Sequence, residues 1–510
     1  MTPLLLKFVT EADEESAAWS KFASSKSDLS NGVNGHANNA SSSTPSTLPT
    51  SDRSYEPTEV QARLALSLPD SPQGIEGTTA LISRILTTST NTWSQGFLSK
   101  LYASPTPIGT LSELLLATLN TNAHVFKVSP ALTVIEKTTG RALAEMFGLK
   151  GPRAGGTSQP GGSASNLTAL VIARNSMFPR TKVEGVVGKR LVLFTSAHGH
   201  YSFEKAAQIC GLGSSAARSV PVDENGCMLV SALEDAIKQA REEGCTPFFV
   251  NGTAGTTVLG SYDPLAEIGA VCKREGLWFH VDASWGGGVA FSERHRSKLE
   301  GSGMADSIAF NPHKMLNVPV TCSFLLAKDL KQFWKSNTLP ASYLFHGAEA
   351  EEEQADGEGK EDEQPFELWD LADQSLQCGR KADALKLALA WNYYGTTGFE
   401  KRIDHAFAVA EHFAELVDAH PDLHLVSAKP PPCLQVCFYY KKTVSAEENT
   451  RVTRAIAKKL LEKNFHVDFA SGDEGSLFRA VVSLQTEVHT VELLVKLIAG
   501  IGDGLSKKGV

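Results

Sequence analysis

The segment DSIAFNPHKM at residues 306–315 predicts a short buried strand followed by a proline-fixed turn that presents Lys314 beside His313. Upstream, LWFHVDASWGGG at residues 277–288 predicts a second strand, which carries Asp282 among apolar residues. Taken alone, Lys314 would be interpreted as a solvated surface lysine. A lysine and a carboxylate placed at two successive predicted strands argue instead for a shared site.

Around these two strands, helical and β-rich segments alternate between residues 130 and about 345. The predicted strands are RLVLFTS, TPFFVNGT, LWFHVDA, DSIAFNP and TCSFLLA. Such alternation predicts an α/β fold with a mostly parallel sheet, in which sites lie at the carboxyl ends of the strands. Four polar residues follow or end predicted strands: His200, Thr257, Asp282 and Lys314. Unrelated polar residues scattered along the chain would not share that placement.

A third segment, GGSASN at residues 161–166, lies at the predicted start of a helix. Backbone N–H groups and the helix dipole suit a phosphate there, although a plain capping turn would be the favoured interpretation of this segment alone. An aldehyde cofactor needs a lysine amine, a carboxylate at its ring nitrogen and a phosphate cradle. Lys314, Asp282 and this segment would supply all three. A structural arginine paired with Asp282 is the alternative for the buried carboxylate.

The composition argues against several classes of protein. The net charge of −9, with 21% charged residues, argues against a nucleic-acid or anionic-membrane surface, because no large basic patch stands out. The eight cysteines lack close metal-ligand pairs, which predicts free thiols in a reducing compartment and no metal site. The N-terminus does not resemble a signal peptide, and no apolar run approaches the roughly 18 residues of a membrane-spanning helix. We therefore expect a cytoplasmic protein.

Changes in composition divide the chain into predicted domains. Residues 1–56 form a flexible low-complexity tail, because their Ser- and Asn-rich part cannot bury enough apolar surface to become ordered. Residues 57–103 form an N-terminal helical arm, 104–385 a large cofactor-binding α/β domain and 386–510 a small α+β domain. Within the large domain, the acidic run at 346–367 is predicted to be a mobile loop.

Several motifs follow one another along the chain: GGSASN, GTAGTTVLGSYDPL, HVDASWGGG, NPHKMLNVPVTCSFLL and SLQCGRKADALKLALAW. The series resembles the pyridoxal-phosphate-dependent group II amino-acid decarboxylases, most of all animal glutamate decarboxylase and cysteine sulfinate decarboxylase, over roughly residues 60–510. A series in one order is far more specific than a lone motif. The resemblance implies pyridoxal 5′-phosphate as cofactor, the α/β fold type I of the aspartate aminotransferase-like transferases, and a homodimer with shared active sites.

The resemblance also implies roles for individual residues. Lys314 is the implied Schiff-base lysine, Asp282 the partner of the ring nitrogen and His200 the ring-stacking histidine, and these three are the implied catalytic residues. Ala283 is implied to pack below the ring. Arg380, in QCGR, is implied to bind the substrate α-carboxylate with its bidentate fork. The implied cofactor-binding residues are Ser163, Ala164, Ser165, His200, Thr257, Asp282, Ala283, His313 and Lys314.

Two residues depart from the family pattern in the implied substrate pocket. Lys100, in GFLSKLY, stands where glutamate decarboxylases carry a substrate-contacting glutamine, and His124, in TNAHVFK, stands where family members carry Phe or Tyr. A lysine and a histidine there favour a small substrate with an acidic side chain, such as aspartate, glutamate or cysteine sulfinate. The alternative is that both side chains point away from the site.

A further departure concerns the mobile loop, where the family carries a tyrosine that protonates the substrate Cα. Here the segment PFELWDLAD offers Phe366 or Trp369 near that position and no tyrosine. This leaves His200 or water as proton donor, or diverts the reaction to decarboxylation-dependent oxidative deamination or transamination with an aldehyde product. A catalytically silent paralogue acting as a binding subunit is the other alternative. Because Lys314, Asp282, His200 and Arg380 are all present, we predict an amino-acid decarboxylase.

Overall fold

The computed structural model of this chain describes residues 56–339, 367–440 and 445–506. The described residues from Glu56 to Ser104 and from His405 onward form one compact unit, and the described residues between Pro105 and Asp404 form the other. This division does not test the domain boundaries predicted from the sequence, which stay predictions.

The strands and helices are numbered here in chain order. The strands are β1 (Phe97–Leu98), β2 (Gly155–Gln159), β3 (Leu191–Ser196), β4 (Ala217–Val220), β5 (Thr246–Thr253), β6 (Trp278–Ala283), β7 (Ser307–Phe310), β8 (Ser323–Ala327), β9 (Leu423–Leu425), β10 (Gln435–Tyr440), β11 (His466–Gly472) and β12 (Gly475–Val481). The helices are α1 (Pro57–Leu64), α2 (Gly74–Thr88), α3 (Pro107–Leu119), α4 (Pro130–Met146), α5 (Gly162–Met177), α6 (Thr181–Glu184), α7 (Ser202–Ile209), α8 (Val230–Glu242), α9 (Leu265–Glu275), α10 (Leu330–Asn337), α11 (Ala384–Ala419), α12 (Ala446–Leu461) and α13 (Val488–Ser506).

The unit Pro105–Asp404 is built on a seven-stranded sheet with the order β2-β8-β7-β6-β5-β3-β4. The strands from β7 to β4 in that order run parallel, whereas β8 is antiparallel to both of its neighbours. The mostly parallel α/β sheet predicted from the sequence is confirmed. Asp282 in β6 pairs in register with Thr253 in β5 and Ala309 in β7, so the carboxyl ends of these strands meet at one edge of the sheet.

Apolar and β-branched residues explain most of these strands, and β2 is the exception. Strands β3 and β6 are buried along their whole length, as expected for parallel strands covered on both faces. Strand β2 is equally buried but has the sequence GGTSQ. A Cβ atom on Gly156 would lie 2.6 Å from Leu326 Cδ2, and one on Gly140 of α4 would lie 2.4 Å from the Gly156 carbonyl oxygen. Close packing on both sides therefore favours glycine in a strand that residue preferences do not predict.

Helix α5 connects the edge strand β2 to the middle of the sheet. It begins at Gly162, three residues after β2 ends, and packs against β5, β7 and β8. Its N-cap residue is Gly161, with a φ of 107°, and no side chain caps the first turn. The N–H groups of that turn are therefore left for another partner.

The other unit contains a five-stranded sheet with the order β1-β11-β12-β10-β9. Strand β1 is parallel to β11, and the remaining neighbours are antiparallel. Helix α12 packs against β10, β11 and β12, and the rings of Phe438 and Phe478 stack with centroids 5.3 Å apart. Across the described ranges of the chain, no helix combines the length and the apolar character that crossing a membrane requires.

Candidate active site

A pocket lies at the carboxyl ends of the parallel strands of Pro105–Asp404. Its wall consists of the loops that follow β3, β5, β6 and β7 and the first turn of α5. Six residues that the sequence predicted for one site line this pocket together: Ser163, His200, Thr257, Asp282, His313 and Lys314.

Lys314 and Asp282 influence each other's ionisation. Burial lowers the pKa of Lys314, and the opposite charge of Asp282 only partly offsets this effect. Burial alone would raise the pKa of Asp282, but the charge of Lys314 and the nearby side chain of Ser284 outweigh it and lower that pKa. Asp282 is therefore a carboxylate at neutral pH, and Lys314 gives up its proton more readily than an ordinary lysine, which favours its nucleophilic form.

Two hydrogen bonds hold the Asp282 carboxylate in place. The backbone N–H of Ser284 donates to Oδ1 at 3.0 Å, and the side-chain amide of Asn166 donates to Oδ2 at 2.9 Å. The backbone N–H of Asp282 itself donates to Asn251 Oδ1 at 3.2 Å. Each carboxylate oxygen can accept a second hydrogen bond, which a protonated ring nitrogen would donate.

Behind Asp282, a chain of buried side chains fixes the orientation of Asn166. The Trp278 indole N–H donates to Ser307 Oγ at 2.9 Å, so the hydroxyl proton of Ser307 is available to His280 Nδ1, also 2.9 Å away. His280 Nε2 lies 3.1 Å from Asn166 Oδ1, which can only accept, so Nε2 carries the imidazole proton. Burial lowers the pKa of His280 to about 4, and the ring is therefore neutral near pH 7.

Two histidines after β3, His198 and His200, line the pocket, and the family resemblance implies a role for His200. The backbone N–H of Ser202 donates to His200 Nδ1 at 3.2 Å, which places the proton of the neutral ring on Nε2. Burial lowers the pKa of His200, against the opposing effect of Asp282. The backbone N–H of His198 donates to Ser196 Oγ at 3.1 Å. The ring-stacking role of His200 stays a prediction.

The first turn of α5 forms the wall next to Asn311. A Cβ atom at Gly162 would lie 2.6 Å from Asn311 Nδ2 and 2.7 Å from Ser284 Oγ. Asn311 Oδ1 accepts a hydrogen bond of 2.5 Å from Ser323, which turns the amide nitrogen toward Gly162. Backbone N–H groups, an amide and a hydroxyl thus converge on one part of the pocket, and this donor set suits a phosphate.

The residues of the pocket fit the cofactor that the sequence predicts. The buried Ser284 hydroxyl has no hydrogen-bond partner among the described residues, so the pocket holds a donor that a bound group would satisfy. Lys314 would hold the aldehyde carbon, Asp282 the ring nitrogen, and the first turn of α5 the phosphate. Over the part of the chain that the structure describes, no group of His, Cys, Asp or Glu side chains is arranged to hold a metal ion.

Three predicted cofactor-binding residues are not part of the described pocket wall: Ala164, Ser165 and Ala283. Ser165 is buried, and its hydroxyl lies 2.9 Å from Ser323 Oγ. Ala283 is also buried, on the face of β6 opposite to Asp282, because side chains alternate along a strand. Ser284, rather than Ala283, therefore shares the pocket side with Asp282. The implied cofactor contacts of these residues stay predictions.

Arg380 is also absent from the described pocket wall. Its guanidinium forms an ion pair with Glu136, and the two side chains are only 4% and 0% exposed. It also donates to the carbonyl oxygens of Ala123 at 2.7 Å and of Ser158 at 3.1 Å. Arg380 thus ties the segment before His124 to helix α4 and strand β2, and its implied role in substrate binding stays a prediction.

The two residues predicted to meet the substrate side chain belong to different units. Lys100 Nζ pairs with Asp468 Oδ2 at 2.8 Å within the unit that contains β11, and its side chain is 51% exposed. His124 belongs to the other unit, where its Nδ1 lies 3.2 Å from the Asn122 carbonyl oxygen. Both substrate roles stay predictions.

The position of the missing loop tyrosine is described only in part. Phe366 lies outside the described residues, as does the predicted acidic loop apart from Glu367. Trp369 packs edge-on against Phe126 with ring centroids 5.3 Å apart, and Lys137 Nζ lies 4.2 Å from the centroid of its ring. Trp369 therefore anchors the chain on helix α4.

The structure adds contacts that sequence reasoning missed, made by four residues: Asn166, His280, Ser284 and Asn311. One signal was present in β6, because residues at i, i+2 and i+4 of a strand share a face, and HVDAS places His280, Asp282 and Ser284 together. No local pattern predicts the bond between Asn166 and Asp282, since 116 positions separate them along the chain.

Comparisons with known proteins agree with this geometry. A family model described as pyridoxal-dependent decarboxylase conserved domain matches residues 57–441. A Metarhizium robertsii protein named L-aspartate decarboxylase dtxS4 is 51% identical over 88% of this chain and 87% of that protein. A mouse protein named acidic amino acid decarboxylase GADL1 is 36% identical over 75% of this chain and 67% of that protein. The solved structure of mouse CSAD has a TM-score of 0.80 and 31% identity, covering 89% of this chain and 94% of that one.

Proposed function

This chain belongs to the pyridoxal-dependent decarboxylase family and is an amino-acid decarboxylase that uses pyridoxal 5′-phosphate; from that premise we propose that its substrate is a small acidic L-amino acid, with L-aspartate as first candidate. The observation that carries the substrate proposal is 51% identity, over 88% of the chain, to the relative named L-aspartate decarboxylase. The relative named acidic amino acid decarboxylase supports the same substrate class.

The family and the fold predicted from the sequence motifs are both confirmed. The family model covers most of the chain, and the likeness to mouse CSAD, with its TM-score of 0.80, agrees with fold type I of the pyridoxal-phosphate enzymes. The predicted alternatives, an enzyme giving an aldehyde and a catalytically silent paralogue, receive no support from these relatives.

The chemistry follows from the residues that face the pocket. Bound pyridoxal 5′-phosphate supplies an electron sink for the charge that remains when the α-carboxylate departs as carbon dioxide. Asp282, held as a carboxylate, would keep the ring nitrogen protonated, because a negative charge stabilises an adjacent proton. Lys314, whose pKa is lowered, would hold the aldehyde carbon between turnovers. His200, with its ring proton on Nε2, is the proposed proton donor to the substrate Cα.

Three residues are proposed to recognise the substrate. Arg380 would bind the α-carboxylate, and its motif supports this role. In the structure its guanidinium forms an ion pair with Glu136. Lys100 and His124 would favour an acidic side chain, because both offer donors to a carboxylate. Variants of Arg380 and of Lys100 test two of these roles separately.

We further propose that the enzyme is a cytoplasmic homodimer whose active sites are shared between subunits. The family resemblance supports the dimer. None of the eight cysteines, which all lie in the described residues, forms a disulfide, and this supports a reducing compartment.

A screen of carbon dioxide release tests the substrate proposal. The full-length protein, loaded with pyridoxal 5′-phosphate, is assayed with L-aspartate, L-glutamate, L-cysteine sulfinate, L-tyrosine and L-ornithine, and the organic product is identified. We expect turnover of one or more of the three acidic amino acids, with the amine as product. Turnover of only tyrosine or ornithine would overturn the proposal, and an aldehyde product would revive the first alternative.

A further inference from the structure

The side chain of Ser284 is buried in the pocket without a hydrogen-bond partner among the described residues. Only 6% of Ser284 is exposed, and its backbone N–H donates to Asp282 Oδ1 at 3.0 Å. Its hydroxyl lies near enough to the same carboxylate to help lower the pKa of Asp282, but it has no partner at hydrogen-bond distance and angle among the described residues. Buried hydroxyl groups nearly always have a partner, because burying one without a hydrogen bond is costly. An unsatisfied hydroxyl on a pocket wall therefore indicates a contact that forms when the pocket is filled.

The Ser284 hydroxyl is directed at the first turn of α5. It would lie 2.7 Å from a Cβ atom placed on Gly162, and both residues line the pocket. The bond between its own N–H and Asp282 fixes the backbone from which this side chain projects. The hydroxyl thus stands next to the uncapped N–H groups that begin after Gly161.

The neighbouring donors point to an anion as the missing partner. Asn311 Nδ2 would lie 2.6 Å from the same Cβ atom at Gly162, and its Oδ1 is already bonded to Ser323. An amide N–H, backbone N–H groups and a hydroxyl are all donors, and together they match the oxygens of a phosphate. The hydroxyl of Ser165, by contrast, is already within 2.9 Å of Ser323 Oγ.

We propose that the hydroxyl of Ser284 donates a hydrogen bond to the phosphate of the bound cofactor, beside the first turn of α5. This makes Ser284 a cofactor-binding residue in addition to those that the sequence motifs imply. The inference rests on the cofactor assignment and is independent of which amino acid is the substrate.

Two ligands that differ only in the phosphate test this contact. Apoprotein is titrated with pyridoxal 5′-phosphate and with pyridoxal, and the absorbance of the imine formed with Lys314 reports binding. A hydrogen bond to a charged group is worth about a tenfold to hundredfold change in affinity. Ser284→Ala is therefore expected to lower the affinity for pyridoxal 5′-phosphate by that factor and to leave the affinity for pyridoxal unchanged.

Thermal unfolding of the apoprotein supplies a second measurement. Because the hydroxyl has no partner in the structure, the melting temperature of apo Ser284→Ala is expected to equal or exceed that of the wild type, while the rise caused by pyridoxal 5′-phosphate becomes smaller. Ser302 is the matched control, since it is equally buried but its hydroxyl donates to the Phe147 carbonyl oxygen at 2.8 Å. Ser302→Ala is expected to lower the apo melting temperature without changing the preference for the phosphorylated ligand.

Three results would overturn the proposal. An equal loss of affinity for both ligands would place the hydroxyl against the ring, and unchanged affinity for both would show that it makes no contact. A lower apo melting temperature for Ser284→Ala would reveal a structural partner. A wild-type protein that forms no imine with either ligand would contradict the cofactor assignment itself, and this result is distinct from any effect confined to the variant.

Discussion

Asn166 Nδ2 lies 2.9 Å from Asp282 Oδ2, so the helix whose first turn lines the pocket also holds the carboxylate of the adjacent strand β6. The same amide group donates to Ser202 Oγ at 2.9 Å, and its oxygen accepts from His280 at 3.1 Å. Every polar atom of the Asn166 side chain is therefore in use. Asn166 therefore orients Asp282, although the sequence motif that contains Asn166 was predicted to bind the phosphate.

Replacing Asn166 with alanine is expected to reduce both stability and cofactor affinity. The change leaves Asp282 Oδ2 and the N–H of His280 without these partners, and each unsatisfied buried group costs about 1–3 kcal/mol. We expect the free energy of unfolding of the apoprotein, measured in urea, to fall by about 2–4 kcal/mol. We also expect the affinity for pyridoxal 5′-phosphate to fall about tenfold, because Asp282 is no longer held.

Asn175 provides the control for this prediction, because it is a buried asparagine on the same helix. Its amide donates to the Ser336 carbonyl oxygen at 3.0 Å, and it does not line the described pocket. Asn175→Ala is expected to lower stability and to leave cofactor affinity unchanged. If the two variants lose cofactor affinity equally, the bond from Asn166 to Asp282 has no specific role in cofactor binding.

The buried imidazole of His280 is expected to make the fold sensitive to acid. Burial lowers its pKa from the ordinary 6.5 to about 4, so between pH 6.5 and 4 the unfolded chain binds a proton that the folded chain does not. The free energy of unfolding therefore falls as the pH is lowered through this window, by about 1.4 kcal/mol per pH unit for one such group. His313, whose pKa burial also lowers to about 4, adds a second contribution of the same sign.

His280→Gln separates the two contributions. A glutamine amide can still donate to Asn166 but does not titrate, so the stability of the apoprotein, measured in urea at several pH values, should fall less steeply between pH 6.5 and 4. The slope of the free energy of unfolding against pH should decrease by the contribution of about one proton. An unchanged slope would show that His280 does not stay neutral in the folded protein.

The sequence predicts those parts of this molecule that depend on local pattern. Strands β3, β5, β6, β7 and β8 are each built on mostly apolar residues, and the chemistry of Lys314 and Asp282 follows from their placement at strand ends. Strand β2 was missed, because Gly156 is there for close packing against Leu326 rather than for strand propensity. The partner of Arg380 was missed for a related reason, since Glu136 lies 244 positions away. Contacts between distant segments are set by tertiary packing, which periodicity and short motifs do not contain.

A methyl group added at Gly162 is expected to obstruct the phosphate end of the pocket. The new Cβ atom would lie within 2.7 Å of both Asn311 Nδ2 and Ser284 Oγ, so these donors must move away from their present positions. We expect Gly162→Ala to lower the affinity for pyridoxal 5′-phosphate by about tenfold or more in an absorbance titration. This loss corresponds to the cost of overpacking a tight site. Gly500→Ala, on α13 with open space around it, should bind the cofactor normally and gain about 0.5–1 kcal/mol of stability. Normal cofactor affinity in Gly162→Ala would place the phosphate elsewhere.

The buried pair of Arg380 and Glu136 is expected to be strongly coupled. Removing either partner leaves the other charge buried, which typically costs 3–5 kcal/mol, so Arg380→Ala and Glu136→Ala should each be destabilised to about that extent. The double variant should lose less than the sum, and a cycle of urea unfolding measurements gives the coupling energy. A substrate role for Arg380 adds a kinetic asymmetry, because kcat/KM should then fall further in Arg380→Ala than in Glu136→Ala. Additive losses of stability would contradict the ion pair.

Lys100 offers a direct test of the proposed preference for acidic substrates, because its removal should leave the fold intact. Its partner Asp468 is also bonded to Arg479 at 2.9 Å, and a pair with a side chain that is 51% exposed contributes at most about 1 kcal/mol. Lys100→Met is therefore expected to unfold at nearly the wild-type urea concentration while KM for the preferred acidic amino acid rises about tenfold, the effect of losing one charge-assisted hydrogen bond. Lys429→Met removes a comparable exposed pair, with Asp418 at 2.6 Å in the same unit, and should change neither quantity. If KM is unchanged in Lys100→Met, the lysine points away from the substrate, and His124 remains the candidate for the preference for an acidic side chain.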